Sequence, residues 1–303
     1  MKPLRNFSEL VSMFSSMETK KTVAFVCPDD EASAEVVTRC LEKDLARFLL
    51  IASKKGCDKC AALIAKFPQA TLFETEGVDE ASRLGVSLVR EGKADVLMKG
   101  SVNTDNLLRA VLDKENGLLQ PGNVMTHVTA VEAPAYDKLL FVSDVAVIPR
   151  PTLEQFDTMI KYDTTLVRHL GIEHPRVALI HFTEKVNQKF PHTLDYVEIM
   201  RRAAEGAYGE AYVSGPMDVK TAVDAHSAEV KGIVSEVVGK ADILIFPTLE
   251  AGNVFYKTIS FFGKASMAGI LLGTMAPIVV PSRADSADSK FYSLVLACLA
   301  GRN

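Results

Sequence analysis

Short apolar runs alternate with amphipathic stretches along the whole chain, at the two periods that separate strand from helix. The runs TVAFVC (22–27), RFLLIAS (47–53), ATLFET (70–75), ADVLMKG (94–100) and LLFVSDVAVI (139–148) predict buried strands. Between them, DEASAEVVTRCLEK (30–43), DEASRLGVSLVREG (79–92) and TDNLLRAVLDK (104–114) predict helices. In the second of these, Ala81, Leu84 and Leu88 follow three- and four-residue steps and share one face. PTLEQFDTMIKYDTTLVRHLG (151–171) predicts a long helix, with Pro151 in its first turn and Gly171 at its stop. The alternation resumes with strands at 176–182, 211–215, 241–248 and 277–280. Helices are expected at 193–208, 218–238, 250–263 and 287–300.

Repeated strand–helix–strand order predicts an α/β fold with largely parallel sheets covered by helices. The 151–171 helix is the expected hinge between two α/β halves. The chain has 303 residues, ample for a core in each half. No apolar stretch reaches the roughly 18 residues of a membrane span. The opening MKPLRNFSELVSMFSS has no continuous apolar run or small-residue cleavage site, so no signal peptide is expected. Net charge is −4 without a basic block, which argues against a nucleic-acid partner. Five cysteines, an odd count, predict free thiols in a reducing cytoplasm. Cys57 and Cys60 form a CxxC, but no second CxxC or nearby histidine completes a metal site.

In open parallel sheets, ligands sit beyond the carboxyl ends of the strands. Four polar clusters follow expected strands. In LMKGSVNTDNLLR (97–109), Lys99 and Gly100 end a strand, Thr104 lies at a helix start suited to an anion, and Arg109 follows one turn on. Ordinary N-capping by Asn103 or Thr104 explains the same pattern. In FVSDVAVIPRPT (141–152), Asp144 interrupts an apolar strand and needs a partner, for which Arg150 is a candidate. In ILIFPTLEAGNVFYK (243–257), Gly252 and Asn253 open a helix that carries Lys257. In VVPSRADSADSK (279–290), Ser282 and Arg283 follow a strand directly, with Asp285 and Asp288 at the start of the last helix. The helix dipole alone accounts for the carboxylates, whereas an arginine fork matches phosphate oxygens.

KADILIFPTLEAGNVFYK, with APIVVPSRADSADSK downstream, resembles the phosphate acetyl/butyryltransferase family. ADVLMKGSVNTDNLLRAVL, FVSDVAVIPRPT and RVALIHFTEK are similar to its earlier landmarks, so the resemblance runs from about residue 20 to the end. The form PSRADSADSK resembles the phosphate butyryltransferase branch, where acetyltransferases typically carry Asn-Asp-Leu-Ser-Arg-Gly. The resemblance implies two three-layer α/β/α domains with the active site in a cleft between them, and commonly a homodimer or higher homo-oligomer. It also implies that the C-terminal segment completes the first domain. The expected division is therefore 1–147 with 273–303, and 148–272.

The implied reaction is reversible: acyl-CoA plus inorganic phosphate gives acyl phosphate plus CoA, with no cofactor beyond these substrates. In the direction that consumes acyl phosphate, a thiol with pKa near ~8.5 needs a base. The tetrahedral oxyanion needs donors, and phosphate needs cations. By resemblance, Arg283 holds phosphate, Ser282 donates to the oxyanion or a phosphate oxygen, and Asp285 or Asp288 takes the thiol proton. The larger separation favours Asp288. Lys99, Gly100, Thr104, Arg109, Gly252, Asn253 and Lys257 are the expected substrate-binding residues, and no metal ligands are expected. The acyl group is expected to be butyryl or a branched chain of similar size, with acetyl as the alternative. A metal-dependent dehydrogenase of related architecture would need a GxGxxG after a strand and a tight aspartate cluster. A non-catalytic CoA or acyl-phosphate sensor would not need a thiol base.

Overall fold

The computed structural model describes residues 4–65, 67–282 and 284–301. In chain order, the elements of the amino-terminal stretch are α1 (Phe7–Ser15), β1 (Thr22–Val26), α2 (Glu31–Glu42), β2 (Arg47–Ser53), α3 (Lys54–Ile64), β3 (Ala70–Thr75), α4 (Val78–Arg90), β4 (Val96–Lys99) and α5 (Thr104–Val111). The middle stretch carries β5 (Thr126–Glu132), β6 (Leu140–Ser143), α6 (Leu153–His169), β7 (Arg176–Ile180), α7 (Pro191–Ala204), β8 (Tyr212–Met217), α8 (Val219–Val223), α9 (Ala225–Val230), β9 (Ile243–Ile245) and α10 (Leu249–Phe261). The chain closes with β10 (Ser266–Leu272), β11 (Ile278–Val279) and α11 (Ala287–Ala300).

Two compact units divide these elements. The first comprises residues 10–125 and 268–303, the second residues 1–9 and 126–267. In the first unit the strand order is β3-β2-β1-β4-β11-β10, parallel except where β10 meets β11. In the second it is β5-β6-β9-β7-β8, parallel except between β5 and β6. All four residues of β4 and of β6 are buried. The second unit's core gathers Val142, Ala178 and Leu244 from its strands and Phe246 from just past β9. The fold class is α/β with a mostly parallel arrangement, as the strand–helix alternation predicts.

Several expectations change. The division falls at 125/126 instead of 147/148. Strand β5, not foreseen, pairs with β6, and β6 pairs with β9, so the chain joins the second unit's strands before residue 147. Helix α6 accordingly lies inside the second unit and not at a hinge. Its N-cap is Thr152, in a reciprocal capping box with Gln155, so Pro151 precedes the helix. Gly171, at φ 88°, sits just past its end. The expected strand 139–148 stops at Ser143 because Asp144 turns the chain, accepting the N–H groups of Ala146 and Val147 at 2.7 and 2.8 Å. Cys57 and Cys60 lie on α3, and all five cysteines are free. Among the described residues no helix is long and apolar enough to cross a membrane, and no cluster of His, Cys, Asp or Glu could hold a metal ion.

Candidate active site

In the first unit the carboxyl ends of β1, β4 and β11 lie side by side, and three loops leave from them. The loops after β1 and β4 are laced together: Gly100 and Ser101 donate their N–H groups to Val26 and Cys27 carbonyls, each at 2.8 Å. A Cβ on Gly100 would stand 2.1 Å from the Cys27 carbonyl oxygen, so only glycine fits there. The Ser101 hydroxyl donates to the Asp29 carboxylate. Asp30 caps α2 by accepting the Ser33 N–H at 3.0 Å. It also receives Lys290 Nζ from α11 at 2.7 Å. Burial would raise the Asp30 carboxyl, but the Lys290 ammonium and the Ser33 hydrogen bonds together hold it below the usual carboxylate range. Lys99 is buried, and its Nζ turns back to the carbonyls of Gly100 (3.2 Å) and Val102 (3.0 Å). It braces the loop.

The loop after β11 carries Ser282, which is exposed. Asp285 closes a tight turn with it: the Ser282 N–H donates to Asp285 Oδ2 at 2.8 Å, and the Asp285 N–H to the Ser282 carbonyl at 3.1 Å. Arg283 lies outside the described residues. Ser286 caps α11 through the Ser289 N–H. Asp288, in the first turn, reaches away to α2 and pairs with Arg39 at 2.8 Å. The Arg39 guanidinium also stacks 3.7 Å above the Phe291 ring. The two aspartates left open by the sequence therefore have different surroundings, one within the serine turn and one on the seam between α2 and α11.

Thr104 is the first residue of α5 and exposed; its N-cap Asn103 makes no side-chain capping bond. Arg109 lines a groove of about 420 Å³ between α4 and α5, together with Arg83 and Arg90. Asn106 and Asp79 close one wall by a 2.6 Å hydrogen bond. Arg90 donates to the Gly117 carbonyl at 3.2 Å. Arg83 and Arg109 have no hydrogen-bond or ion-pair partner among the described residues.

In the second unit, the expected residues build the turn after β6. Asp144 is buried and, besides the two N–H groups above, accepts the Thr126 hydroxyl at 2.9 Å and the His127 N–H at 2.8 Å. The Ser143–Asp144 peptide is cis. Four donors satisfy Asp144, so Arg150, which is exposed, is not needed as its partner. Asn253 Nδ2 donates to the Val145 carbonyl at 2.9 Å, and a Cβ on Gly252 would lie 2.2 Å from the Asp144 carbonyl oxygen. Both residues seat α10 on the turn. Lys257 is exposed, with Nζ 4.7 Å from the Tyr256 ring centroid. Asp163 on α6 is fully buried; desolvation and then the neighbouring Asp144 charge push its carboxyl well above the usual range, against the Ser143 hydroxyl.

Sequence reasoning missed Asp29, Asp30 and the pairing of Lys290. The signal was present in two acids directly after the first strand, where they read only as a helix start.

The model of the family described as phosphate acetyl/butaryl transferase matches residues 70–298. The phosphate butyryltransferase of Clostridium acetobutylicum is 36% identical over 304 residues, with 99% of each chain covered. The phosphate acetyltransferase of Thermotoga maritima is 39% identical over 221 residues, 73% of this chain and 75% of that protein. Among solved structures, a branched-chain phosphotransacylase from Enterococcus faecalis V583 superposes with a TM-score of 0.81 at 28% identity, over 92% of this chain and 98% of its own. A strand-end serine turn in a mostly parallel α/β fold, with a matching family model over most of the chain and a relative aligned end to end, makes this chain a member of the phosphate acetyl/butyryltransferase family.

Proposed function

We propose that this protein is a phosphate acyltransferase that moves a short acyl group, butyryl or a branched chain of similar size, between CoA and inorganic phosphate. The observation that carries this reading is the Ser282–Asp285 turn at the carboxyl end of β11, beside the Gly100–Ser101 loop of β4. In the direction that forms acyl-CoA, a carboxylate takes the CoA thiol proton, and the thiolate sulfur attacks the acyl-phosphate carbonyl. The carbonyl electron pair moves onto oxygen, where the Ser282 hydroxyl donates to it. As the carbonyl re-forms, the carbon–oxygen bond to phosphate breaks, and the Arg283 guanidinium holds the departing charge. The reverse reaction retraces these steps. Holding both substrates together supplies much of the acceleration, and no covalent acyl-enzyme is required.

The thiol base is assigned to Asp285. Its carboxylate sits in the serine turn, whereas that of Asp288 reaches away to Arg39 on α2. Arg109 and Arg83, unpaired in their groove, are assigned to the phosphates of CoA. Lys99, Gly100 and Thr104 shape the loop that receives phosphate. CoA and phosphate are substrates, and the reaction as written uses no further cofactor. The protein works in the cytoplasm as a homodimer or higher homo-oligomer, in short-chain acyl metabolism of the fermentative kind.

The test is release of free thiol from butyryl-CoA in the presence of inorganic phosphate. Turnover is expected, and butyryl-CoA should exceed acetyl-CoA in kcat/KM. Two added methylenes are worth about 1.6 kcal/mol, or roughly 15-fold. A preference for acetyl-CoA would make the protein an acetyltransferase; tight CoA binding without thiol release would make it a sensor.

A further inference from the structure

Lys290 is a buried cation with no part in the acyl transfer as written above. It is 3% exposed and lies one turn into α11. Its Nζ donates to Asp30 Oδ1 at 2.7 Å and to the Ser33 hydroxyl at 3.4 Å, and Ser33 donates in turn to the second Asp30 oxygen. Stability gives no reason for an ammonium there. Apolar side chains of similar volume in place of a buried ion pair are often as stable or more so. What the pair adds is direction, because charge-assisted hydrogen bonds fix an angle and a distance that packed methylenes leave free.

The surroundings say what is held. Asp30 follows β1, and its neighbour Asp29 accepts the Ser101 hydroxyl from the loop after β4. Helix α3 backs Asp29 so closely that a Cβ on Gly56 would stand 2.8 Å from its Oδ2, and Lys59 Nζ reaches the Asp29 carbonyl at 3.3 Å. The turn that presents both acids is stiff: Cys27 is held at φ 51°, and Pro28 fixes its own φ. On the other side, the Lys290 N–H donates to the Ser286 carbonyl at 3.0 Å, and Ser286 directly follows the Ser282–Asp285 turn. Two consecutive acids thus tie the loop after β4 to the serine turn after β11. The Arg39–Asp288 pair bridges the same two helices, but its side chains are 30% and 67% exposed, where an ion pair holds little.

We propose that Asp29, Asp30 and Lys290 are positioning residues for the acyl transfer, holding the Ser282 hydroxyl in fixed register with the phosphate-receiving loop after β4. This role rests on the acyltransferase reading and involves no contact with the reacting atoms. In the tetrahedral intermediate the oxyanion and the phosphate are bonded to one carbon, so their protein partners must keep a set spacing. Those partners come from different strands, and a shift of about 1 Å between them costs up to about 10²-fold in rate.

Thiol release from butyryl-CoA and phosphate tests it, with urea unfolding of each variant alongside. Lys290→Met removes the cation. Asp30→Asn with Lys290→Met also removes the carboxylate charge left behind, while asparagine still caps α2. The double variant should unfold cooperatively at a urea midpoint no lower than that of Lys290→Met. Its kcat should fall about 10- to 100-fold, with KM for butyryl-CoA within about threefold. On a Ser282→Ala background, where the hydroxyl to be positioned is gone, adding Lys290→Met should cost about threefold or less. An unaltered protein without turnover would remove the acyltransferase reading and this role with it. With the unaltered protein active, three results would each overturn the positioning role alone. They are a double variant within about threefold of full kcat, one that loses its cooperative transition, and a Lys290→Met loss that multiplies undiminished onto Ser282→Ala.

Discussion

Asp285 and Asp288 are three positions apart and make separate bonds, which renders their roles separable by experiment. With Asp285 as the thiol base, Asp285→Asn should lower kcat by about 10²–10⁴. Asp288→Asn should leave turnover within a few-fold, because it removes only an exposed ion pair with Arg39, worth about 1 kcal/mol or less. Steady-state rates with butyryl-CoA and phosphate decide, and the reverse ranking would make Asp288 the base. Asp163 affects stability. Its carboxyl titrates well above its unfolded value, so the folded state holds a proton that the unfolded state releases. Its stabilising contribution is complete below the unfolded pKa, near ~4, and is lost as pH rises toward the folded pKa. Asp163→Asn, which stays neutral, should therefore gain in urea midpoint relative to the unaltered protein between pH 5 and pH 8. A difference that is flat across that range would contradict the raised carboxyl.

At the scale of elements, most strands and helices were legible because their apolar periods are strong and long. The exceptions have physical causes. Strand β5 was missed, and the run at 139–148 was read too long, because a buried turn at Asp144 leaves no break in hydropathy; its polar groups are satisfied by N–H donors distant in sequence or hidden in the turn itself. The same turn explains why Gly252 and Asn253 read as ligand residues. A glycine and an asparagine at a helix start look alike whether they approach a phosphate or a backbone carbonyl. Gly252→Ala separates the two forces on that position. Helix propensity alone would favour alanine by about 1 kcal/mol, yet its Cβ would meet the Asp144 carbonyl oxygen at 2.2 Å. A net loss of about 1–3 kcal/mol is expected from urea unfolding; a gain would show that the turn yields freely. At the candidate site, Ser282, Asp285 and Asp288 were singled out from their place after a strand. The Asp30–Lys290 pair was not, because its members lie 260 positions apart and each has an ordinary local explanation.

At the scale of the whole molecule, the expected border was 147/148, whereas the compact units divide at 125/126, since pairing between β6 and β9 cannot be read from hydropathy. The first unit is assembled from two stretches, residues 10–125 and 268–303, with the second unit's residues 126–267 between them. Strand β11 lies between β4 and β10. On the ribosome, then, β4 waits as a bare apolar edge while the 178 residues between it and β11 (100 through 277) are added, roughly 9–36 s at ordinary elongation rates. Such an edge invites pairing with a neighbouring nascent chain. The serine proposed for the chemistry emerges with the very strand that covers that edge, so a polypeptide released early lacks both and is the one most prone to aggregate.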